Sequence, residues 1–179
     1  MSFSPERYVA ALELAATKHA GQKVPGTDLP YLVHVVTVAA ELIASFGTTQ
    51  LDEDLAVQCG LLHDTIEDTG TTRDEIATKF GEAVAAGVSA LSKDASLPKA
   101  EQMADSLRRI REQPSEVWMV KLADRITNLS EPPHYWTRDK RIAYRDEAIV
   151  IADALGSASL ALDRRIRGRI ADYARFFAV

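Results

Sequence analysis

The chain has 179 residues, of which 46% are hydrophobic, and it carries a formal net charge of −5. This length and composition suit one globular domain, residues 1–179, with a buried core. The negative charge disfavours nonspecific nucleic-acid binding, no apolar run approaches the roughly 20 residues that cross a bilayer, and the N-terminus lacks the order of a signal peptide. We therefore expect a cytoplasmic protein with neither a nucleic-acid nor a membrane partner.

Helical periodicity dominates the first part of the chain. Ser4 is a typical N-cap residue, which predicts a helix over about residues 5–19. A loop that contains glycines, residues 21–30, follows this helix. The next stretch, residues 31–43, is rich in β-branched side chains, but its length and the glycine that ends it, Gly47, favour a second helix.

The remaining segments continue the helical pattern. Acidic residues 52–54 mark the start of a helix that carries the His63-Asp64 pair, and the capping-box spacing from Thr72 to Glu75 opens another helix. Three further helices are expected over about residues 98–111, 115–129 and 137–155, with a last one following. Because the sequence shows neither strand alternation nor an internal repeat, it predicts an all-α bundle of about eight to ten helices.

Four side chains that can bind a metal or transfer a proton lie within residues 61–68: His63, Asp64, Glu67 and Asp68. Each of them alone is more often a solvated surface residue or a core histidine. On one helix, however, they would share an arc of roughly 140°, and the apolar residues before them predict that this helix is buried. Buried neighbouring carboxylates repel each other and lose hydration unless a cation is present. We therefore interpret the segment as a metal site with a base beside it.

Two distant residues can add ligands to this segment. His34 lies among valines, where an imidazole needs a partner for its ring nitrogens. Asp124 follows an apolar run, and the alternative to a metal there is an ion pair with Lys121 or Arg125. A set of two nitrogens and two oxygens suits manganese or iron better than a structural zinc site. The four candidate ligands are His34, His63, Asp64 and Asp124.

Three stretches resemble the hydrolase domain of the bacterial stringent-response enzymes, which belongs to the His-Asp (HD) phosphohydrolase superfamily. They are residues 21–34, which end in His34, residues 63–69, which begin with the His-Asp pair, and residues 120–128, which contain Asp124. The resemblance covers nearly the whole chain. Because no synthetase region follows, the chain is similar to a free-standing small alarmone hydrolase. The resemblance implies an HD-domain helical bundle.

The resemblance also implies a manganese-dependent 3′-pyrophosphohydrolase that acts on a purine nucleotide polyphosphate, (p)ppGpp or (p)ppApp. One Mn²⁺ ion, held by the four candidate ligands, would polarise the 3′-linked phosphate and provide a metal-bound hydroxide as the nucleophile. Glu67 and Asp68 match the family's Glu-Asp pair and would orient the water, take its proton and protonate the leaving ribose oxygen. The expected substrate-binding residues are Lys23, Tyr31, Asn128, Tyr144 and Arg145.

The chain departs from the family pattern at basic positions. Many relatives carry an Arg-Lys pair where this chain has Val24-Pro25, and often a lysine where it has Ala95. The loss of a guanidinium removes a group that can stack on a purine. We therefore predict retained chemistry with altered base recognition, towards adenosine alarmones. The basic residues that remain as substitutes are Lys23, Lys93, Lys99, Lys140, Arg141 and Arg145.

Three other functions stay open at this point. The first is a related metal-dependent phosphatase that acts on NADPH or on a 2′- or 3′-nucleotide. The second is a nucleic-acid-binding helical module, supported only by the basic run at residues 164–169, which more often forms the solvated face of a helix. The third is an inactive scaffold, which the complete set of candidate ligands disfavours. A homo-oligomer also remains open. His19 is expected to make only a helix-end hydrogen bond.

Overall fold

The structure is a computed structural model that describes residues 3–47 and 51–177. These residues form ten α-helices and two short 3₁₀ helices, and the described part of the chain contains one isolated β-bridge, between Lys23 and Pro30, but no strand. The α-helices are α1 Pro5–Lys18, α2 Leu32–Ser45, α3 Glu53–Leu62, α4 Thr65–Thr69, α5 Arg73–Phe80, α6 Glu82–Leu91, α7 Lys99–Arg111, α8 Ser115–Asn128, α9 Arg138–Leu155 and α10 Leu160–Tyr173. The 3₁₀ helices are Gly156–Ala158 and Ala174–Phe177. The predicted all-α bundle is confirmed.

The helix starts follow from local side-chain chemistry. Ser4 caps α1 by accepting a hydrogen bond from the backbone N–H of Arg7, and Thr72 caps α5 in the same way through Glu75. A cap satisfies an N–H group that the first turn of a helix leaves without a partner. The β-branched stretch after residue 31 is helical, as predicted, because the buried face of α2 recurs at helical spacing.

Helices α2, α3 and α8 pack against one another at the centre of the molecule. Helix α3 has no solvent-facing side, since every residue from Asp54 to Leu62 is buried. Along α8, the buried residues between Glu116 and Ile126 include charged side chains as well as apolar ones. Burying charge in a core is costly unless the charges are paired. These three helices therefore form both the core and the place where polar side chains meet.

The expectation of a single helix through residues 63–68 is wrong. Helix α3 ends at Leu62 and α4 begins at Thr65, so the His-Asp pair lies in the turn between them. The His63 ring nitrogen Nδ1 bonds the carbonyl of Gly60 at 2.8 Å, and the Thr65 hydroxyl donates to the carbonyl of Leu62 at 2.7 Å. These side chains thus bond backbone carbonyls of the last turn of α3, where the helix ends.

The last helix agrees with the solvent-facing interpretation of the basic run. Ile166 is buried, while Arg165 forms an ion pair with Glu41 and Arg167 forms ion pairs with two aspartates. These pairs compensate part of the positive charge that a nucleic-acid surface would need. Among the described residues, no helix combines the length and the apolarity needed to cross a membrane.

Candidate active site

Two imidazoles and two carboxylates converge where α2, α8 and the turn between α3 and α4 meet. The Nε2 atoms of His34 and His63 lie 3.3 Å apart. Asp64 Oδ2 lies 2.9 Å from His63 Nε2 and 3.7 Å from His34 Nε2. Asp124 Oδ1 lies 3.5 Å from His34 Nε2 and 3.7 Å from His63 Nε2. The structure therefore brings together all four ligands that the sequence suggested.

The hydrogen bonds of His63 leave one nitrogen for a cation. Its Nδ1 faces the carbonyl of Gly60, which can only accept, so Nδ1 carries a hydrogen. In the neutral ring the lone pair then lies on Nε2, which faces His34 and the two aspartates. A backbone carbonyl that fixes the tautomer in this way is typical of metal-binding histidines.

The carboxylates of the cluster are held in their charged form. Asp124 is buried, which alone would favour its neutral form, but Lys121 at 3.1 Å and the two histidines hold its pKa well below the ordinary value. The pKa of Asp64 is also lowered, because His63 outweighs the effect of burial. Burial works against charge on His63, yet the two aspartates raise its pKa well above the ordinary value. The cluster thus stabilises positive charge at its centre.

These donors fit a divalent cation. His34, His63 and Asp124 are only 5%, 3% and 7% exposed, and each offers an atom within 4.8 Å of the others. Ligand atoms roughly 2.1 Å from one ion lie roughly 3 Å apart when they meet at right angles, close to the distances between these donors. Two nitrogens with two carboxylate oxygens suit a cation that also binds water and substrate. The ion pair of Lys121 with Asp124, which the sequence offered as the alternative to a metal, also forms, and it uses the second carboxylate oxygen, Oδ2.

Tyr31 and Asn128 orient the two carboxylates. The Tyr31 hydroxyl donates to Asp64 Oδ2, and the Asn128 amide donates to Asp124 Oδ1. Burial and the neighbouring Asp64 charge raise the pKa of Tyr31, so the hydroxyl keeps its proton. Both residues also line the adjacent cavity, where the sequence had placed them as substrate-binding residues.

Helix α4 carries the expected proton-handling pair on the cavity side. Glu67 accepts hydrogen bonds from Lys93, through both its backbone N–H at 2.9 Å and its ammonium at 3.3 Å. Asp68 accepts a hydrogen bond from the Gln22 amide at 3.0 Å. Loss of hydration at the cavity, together with the neighbouring charges of Asp64 and Glu67, raises the pKa of Asp68, which makes this carboxylate a better proton acceptor.

A polar cavity of about 310 Å³ opens beside the cluster. Its wall combines acidic groups of the cluster with five cationic side chains, which come from α8, α9 and the α6–α7 segment. Opposite charges on one wall suit a substrate that carries phosphates together with a metal ion. The cationic residues that line it are Lys93, Lys99, Lys121, Arg125 and Lys140.

The cavity separates the expected substrate-binding residues into two groups. Tyr144 lines it together with Tyr31 and Asn128, but Lys23 and Arg145 are not among the described residues that line it. The ammonium of Lys23 pairs with Asp28 at 2.6 Å, and Arg145 pairs with Asp146 at 2.7 Å. Each is thus held by a carboxylate that is close in sequence, and a role of Lys23 and Arg145 in substrate binding stays a prediction.

Other cavity residues were missed from the sequence. Arg125 stacks over the Tyr144 ring at 4.1 Å and pairs with Glu147 at 2.6 Å, and both partners lie on α9. Burial raises the pKa of Tyr144, so this phenol stays protonated. Lys140, Tyr144 and Glu147 are spaced by four and three residues, which places them on one face of a helix. This spacing could have predicted from the sequence that Glu147 lies beside Tyr144.

Comparisons with known proteins place these motifs in a family. A family model described as "HD domain" matches residues 11–151. The guanosine-3′,5′-bis(diphosphate) 3′-pyrophosphohydrolase MESH1 of Danio rerio is 30% identical over 161 residues, which cover 87% of this chain and 88% of that protein. The Homo sapiens protein of the same name is 29% identical over 172 residues, covering 93% and 94% of the two chains.

A solved structure supports the same relationship. It is described as a metazoan ortholog of SpoT that hydrolyzes ppGpp, and it is similar to this chain with a TM-score of 0.84 at 25% sequence identity. The similarity covers 96% of this chain and 98% of that one. The resemblance inferred from the three motifs is confirmed by these comparisons.

Proposed function

The chain belongs to the HD-domain family, and we propose that it is a metal-dependent 3′-pyrophosphohydrolase of purine alarmone nucleotides. In this reaction the protein removes pyrophosphate from the 3′ position of ppGpp, with water as the second reactant. We further propose that residues 1–179 act as one HD-type domain in the cytoplasm. The relatives named for this activity match most of the chain, which supports the assignment.

One observation supports this function above others: the four converging ligands lie beside a cavity whose wall carries five cationic side chains among its acidic ones. A pyrophosphate group carries several negative charges, so its binding needs cations on more than one side. A cation at the ligand cluster would provide one side, and cationic side chains of the wall such as Lys93, Lys99 and Lys140 would provide another. A cavity of this kind suits a nucleotide with a second phosphate-bearing group.

We propose Mn²⁺ as the cation, held by His34, His63, Asp64 and Asp124. When bound, such an ion lowers the pKa of water and withdraws electrons from a phosphate oxygen. The mixed nitrogen and oxygen set, which is richer in carboxylate than structural zinc sites, supports manganese. Tyr31 and Asn128, through their hydrogen bonds to Asp64 and Asp124, would limit the rotation of the two carboxylates that hold it.

We assign the proton transfers to helix α4. Asp68 takes a proton from the attacking water at its carboxylate, and its raised pKa makes it a stronger base for this step. Glu67, held by Lys93, orients the water. The proton then passes to the ribose 3′ oxygen as the bond between that oxygen and phosphorus breaks. Both carboxylates line the cavity, which supports these roles.

We also propose that base recognition differs from that of relatives with an Arg-Lys pair. Val24 is partly buried against the core, and its backbone N–H donates to the carbonyl of Leu29 at 2.9 Å. Gly26 meets Pro133 so closely that a Cβ atom on it would lie 2.9 Å from the Pro133 Cα. This part of the loop is thus held by a backbone hydrogen bond and apolar contacts, without a guanidinium to stack on a purine.

A product assay tests both the chemistry and the base. The purified protein with Mn²⁺ is given ppGpp and ppApp separately, and released pyrophosphate and orthophosphate are quantified. The proposal predicts pyrophosphate from both, with a ratio of kcat/KM values for ppApp over ppGpp above one. Orthophosphate alone from these substrates, or from NADPH or a 3′-nucleotide, would instead indicate the related phosphatase.

A further inference from the structure

Gln22 connects the loop between α1 and α2 to the proton-handling pair. Its side-chain amide donates to Asp68 Oδ2 at 3.0 Å. Because a carboxylate only accepts, this bond fixes the orientation of the amide, with Nε2 towards Asp68 and Oε1 away from it. The backbone carbonyl of Gln22 accepts from the N–H of Tyr31 at 2.9 Å, and Tyr31 in turn donates to Asp64.

His19 holds the other end of the same amide. Its Nδ1 lies 2.7 Å from Gln22 Oε1. Since Oε1 must accept, Nδ1 of His19 carries the hydrogen. The His19 ring is only 4% exposed and packs against the Tyr31 ring at a centroid distance of 4.8 Å. This role exceeds the simple helix-end hydrogen bond that the sequence suggested for His19.

The second nitrogen of His19 is buried without a partner. Nε2 makes no hydrogen bond within the part of the chain that the structure describes. A buried polar atom without a partner is costly. If residue 19 served only to pack against Tyr31, an apolar ring would fill the position without this cost. The imidazole adds a donor at Nδ1, which gives the Gln22 amide a defined orientation. The Nδ1–H group of the buried His19 ring therefore restricts the orientation of the Gln22 side-chain amide.

We propose that His19 and Gln22 are positioning residues for Asp68: His19 orients the Gln22 amide, and that amide holds the Asp68 carboxylate at the cavity. The proposal rests on the proposed function, in which Asp68 takes the proton of the attacking water. A hydrogen-bonded partner behind a catalytic carboxylate limits its rotation and keeps it in reach of that water. The loop between α1 and α2 thus sets both carboxylates, Asp64 through Tyr31 and Asp68 through Gln22.

Substitutions at Gln22 test the connection to Asp68. Gln22→Met keeps the length of the side chain but removes the amide, and we expect kcat for ppGpp to fall about 10-fold to 100-fold with KM and Mn²⁺ affinity changed less than about 3-fold. In an Asp68→Asn background the same change should cost less than about 2-fold, because its target is already neutral. An equal loss in both backgrounds would overturn the proposal.

Substitutions at His19 separate the hydrogen bond from the ring packing. His19→Asn keeps a donor near the position of Nδ1 but loses the ring, while His19→Phe keeps a ring but loses the donor. We expect His19→Asn to retain kcat within about 3-fold and His19→Phe to lose about 10-fold or more. The reverse order would show that His19 acts by packing against Tyr31 alone, which contradicts the proposal.

A nuclear magnetic resonance measurement makes the test independent of turnover. In the wild-type protein, the nitrogen shifts of His19 should show hydrogen on Nδ1, and the side-chain amide signal of Gln22 should move in Asp68→Asn but not in Glu67→Gln. If these signals behave so while ppGpp is not hydrolysed, the proposed function fails and the positioning contact stands. An unchanged Gln22 signal in Asp68→Asn would refute the contact even in an active enzyme.

Discussion

Lys93 binds both carboxylate oxygens of Glu67, with its backbone N–H at 2.9 Å from Oε2 and its ammonium at 3.3 Å from Oε1. Arg109 fixes the backbone of this turn by donating to the carbonyls of Ser89 and Ala90 in α6 and to that of Ser92, just after the helix, at 2.8 Å. The backbone bond does not depend on the Lys93 side chain. Glu67 can therefore remain oriented when the ammonium moves to a substrate phosphate.

Lys93→Ala should weaken substrate binding more than it slows chemistry. The Lys93 side chain is 40% exposed, so its ion pair with Glu67 contributes less than about 1 kcal/mol. A hydrogen bond from the ammonium to a phosphate is worth roughly 1.5–3 kcal/mol. We expect KM for ppGpp to rise about 10-fold, with kcat within about 3-fold of wild type. Steady-state kinetics check this, with Lys79→Ala, an exposed lysine on α5, as the control. An unchanged KM would contradict the role of Lys93.

Mn²⁺ affinity should rise with pH. In the metal-free protein the aspartates raise the pKa of His63 well above its ordinary value, so a proton competes with the ion for Nε2. The pKa values of Asp64 and Asp124 are lowered, so neither releases a proton near neutrality. Affinity should therefore increase about tenfold per pH unit until the pH passes the pKa of His63. Calorimetric titrations at two pH values should show release of about one proton per ion, and a flat profile would exclude His63 as a ligand.

Tyr31→Phe should weaken metal binding while the fold persists. The ring of Tyr31 packs against His19 and His34, and phenylalanine retains this packing. The lost hydroxyl frees Asp64 to rotate away from the cluster, and the loss of such a partner lowers metal affinity about 10-fold to 100-fold. Tyr135→Phe, at an exposed tyrosine, is the matched control. Equal Mn²⁺ affinities for the two variants, measured by titration, would count against the orienting role of Tyr31.

Gly87→Ala should destabilise the packing of α6 on α3. A Cβ atom at this position would lie 2.7 Å from Cys59 Sγ and 3.0 Å from Val117 Cγ2. Overpacking of a core costs about 1–3 kcal/mol, which exceeds the gain of about 1 kcal/mol in helix propensity. At Gly168 on α10 a Cβ atom would meet nothing within 4 Å, so Gly168→Ala should raise the free energy of unfolding by about 0.5–1 kcal/mol. Urea unfolding should give opposite signs, and a shared sign would contradict this packing.

The helices could be predicted from the sequence because they depend on local patterns, such as the Ser4 and Thr72 caps and the periodicity of α2. The candidate ligands could be proposed from residue types in apolar surroundings and from the three motifs that resemble the family. The break at His63 could not be predicted this way. Hydrogen bonds from the His63 and Thr65 side chains to backbone carbonyls accompany the break, and helical periodicity contains no information about such bonds.

The cavity wall was predicted less well than the ligands. Lys23 matched a family motif by position, yet its ammonium is bound by Asp28 in the same loop. Arg125 was considered only as an ion-pair partner of Asp124, although it reaches across to Tyr144 and Glu147 on α9. Such contacts depend on how helices pack, and a motif alone does not give the direction of a long side chain.

Release of pyrophosphate from ppGpp, measured in the wild-type protein and in Asp64→Ala, tests the central claim most directly. With Mn²⁺ present, the wild type should convert ppGpp to GDP and pyrophosphate in equal amounts. Asp64→Ala, which removes a carboxylate from the ligand cluster, should lower the rate by about 100-fold or more, because the cation and its polarising charge are lost. No pyrophosphate from the wild type, or an unchanged rate in the variant, would contradict the proposed active site.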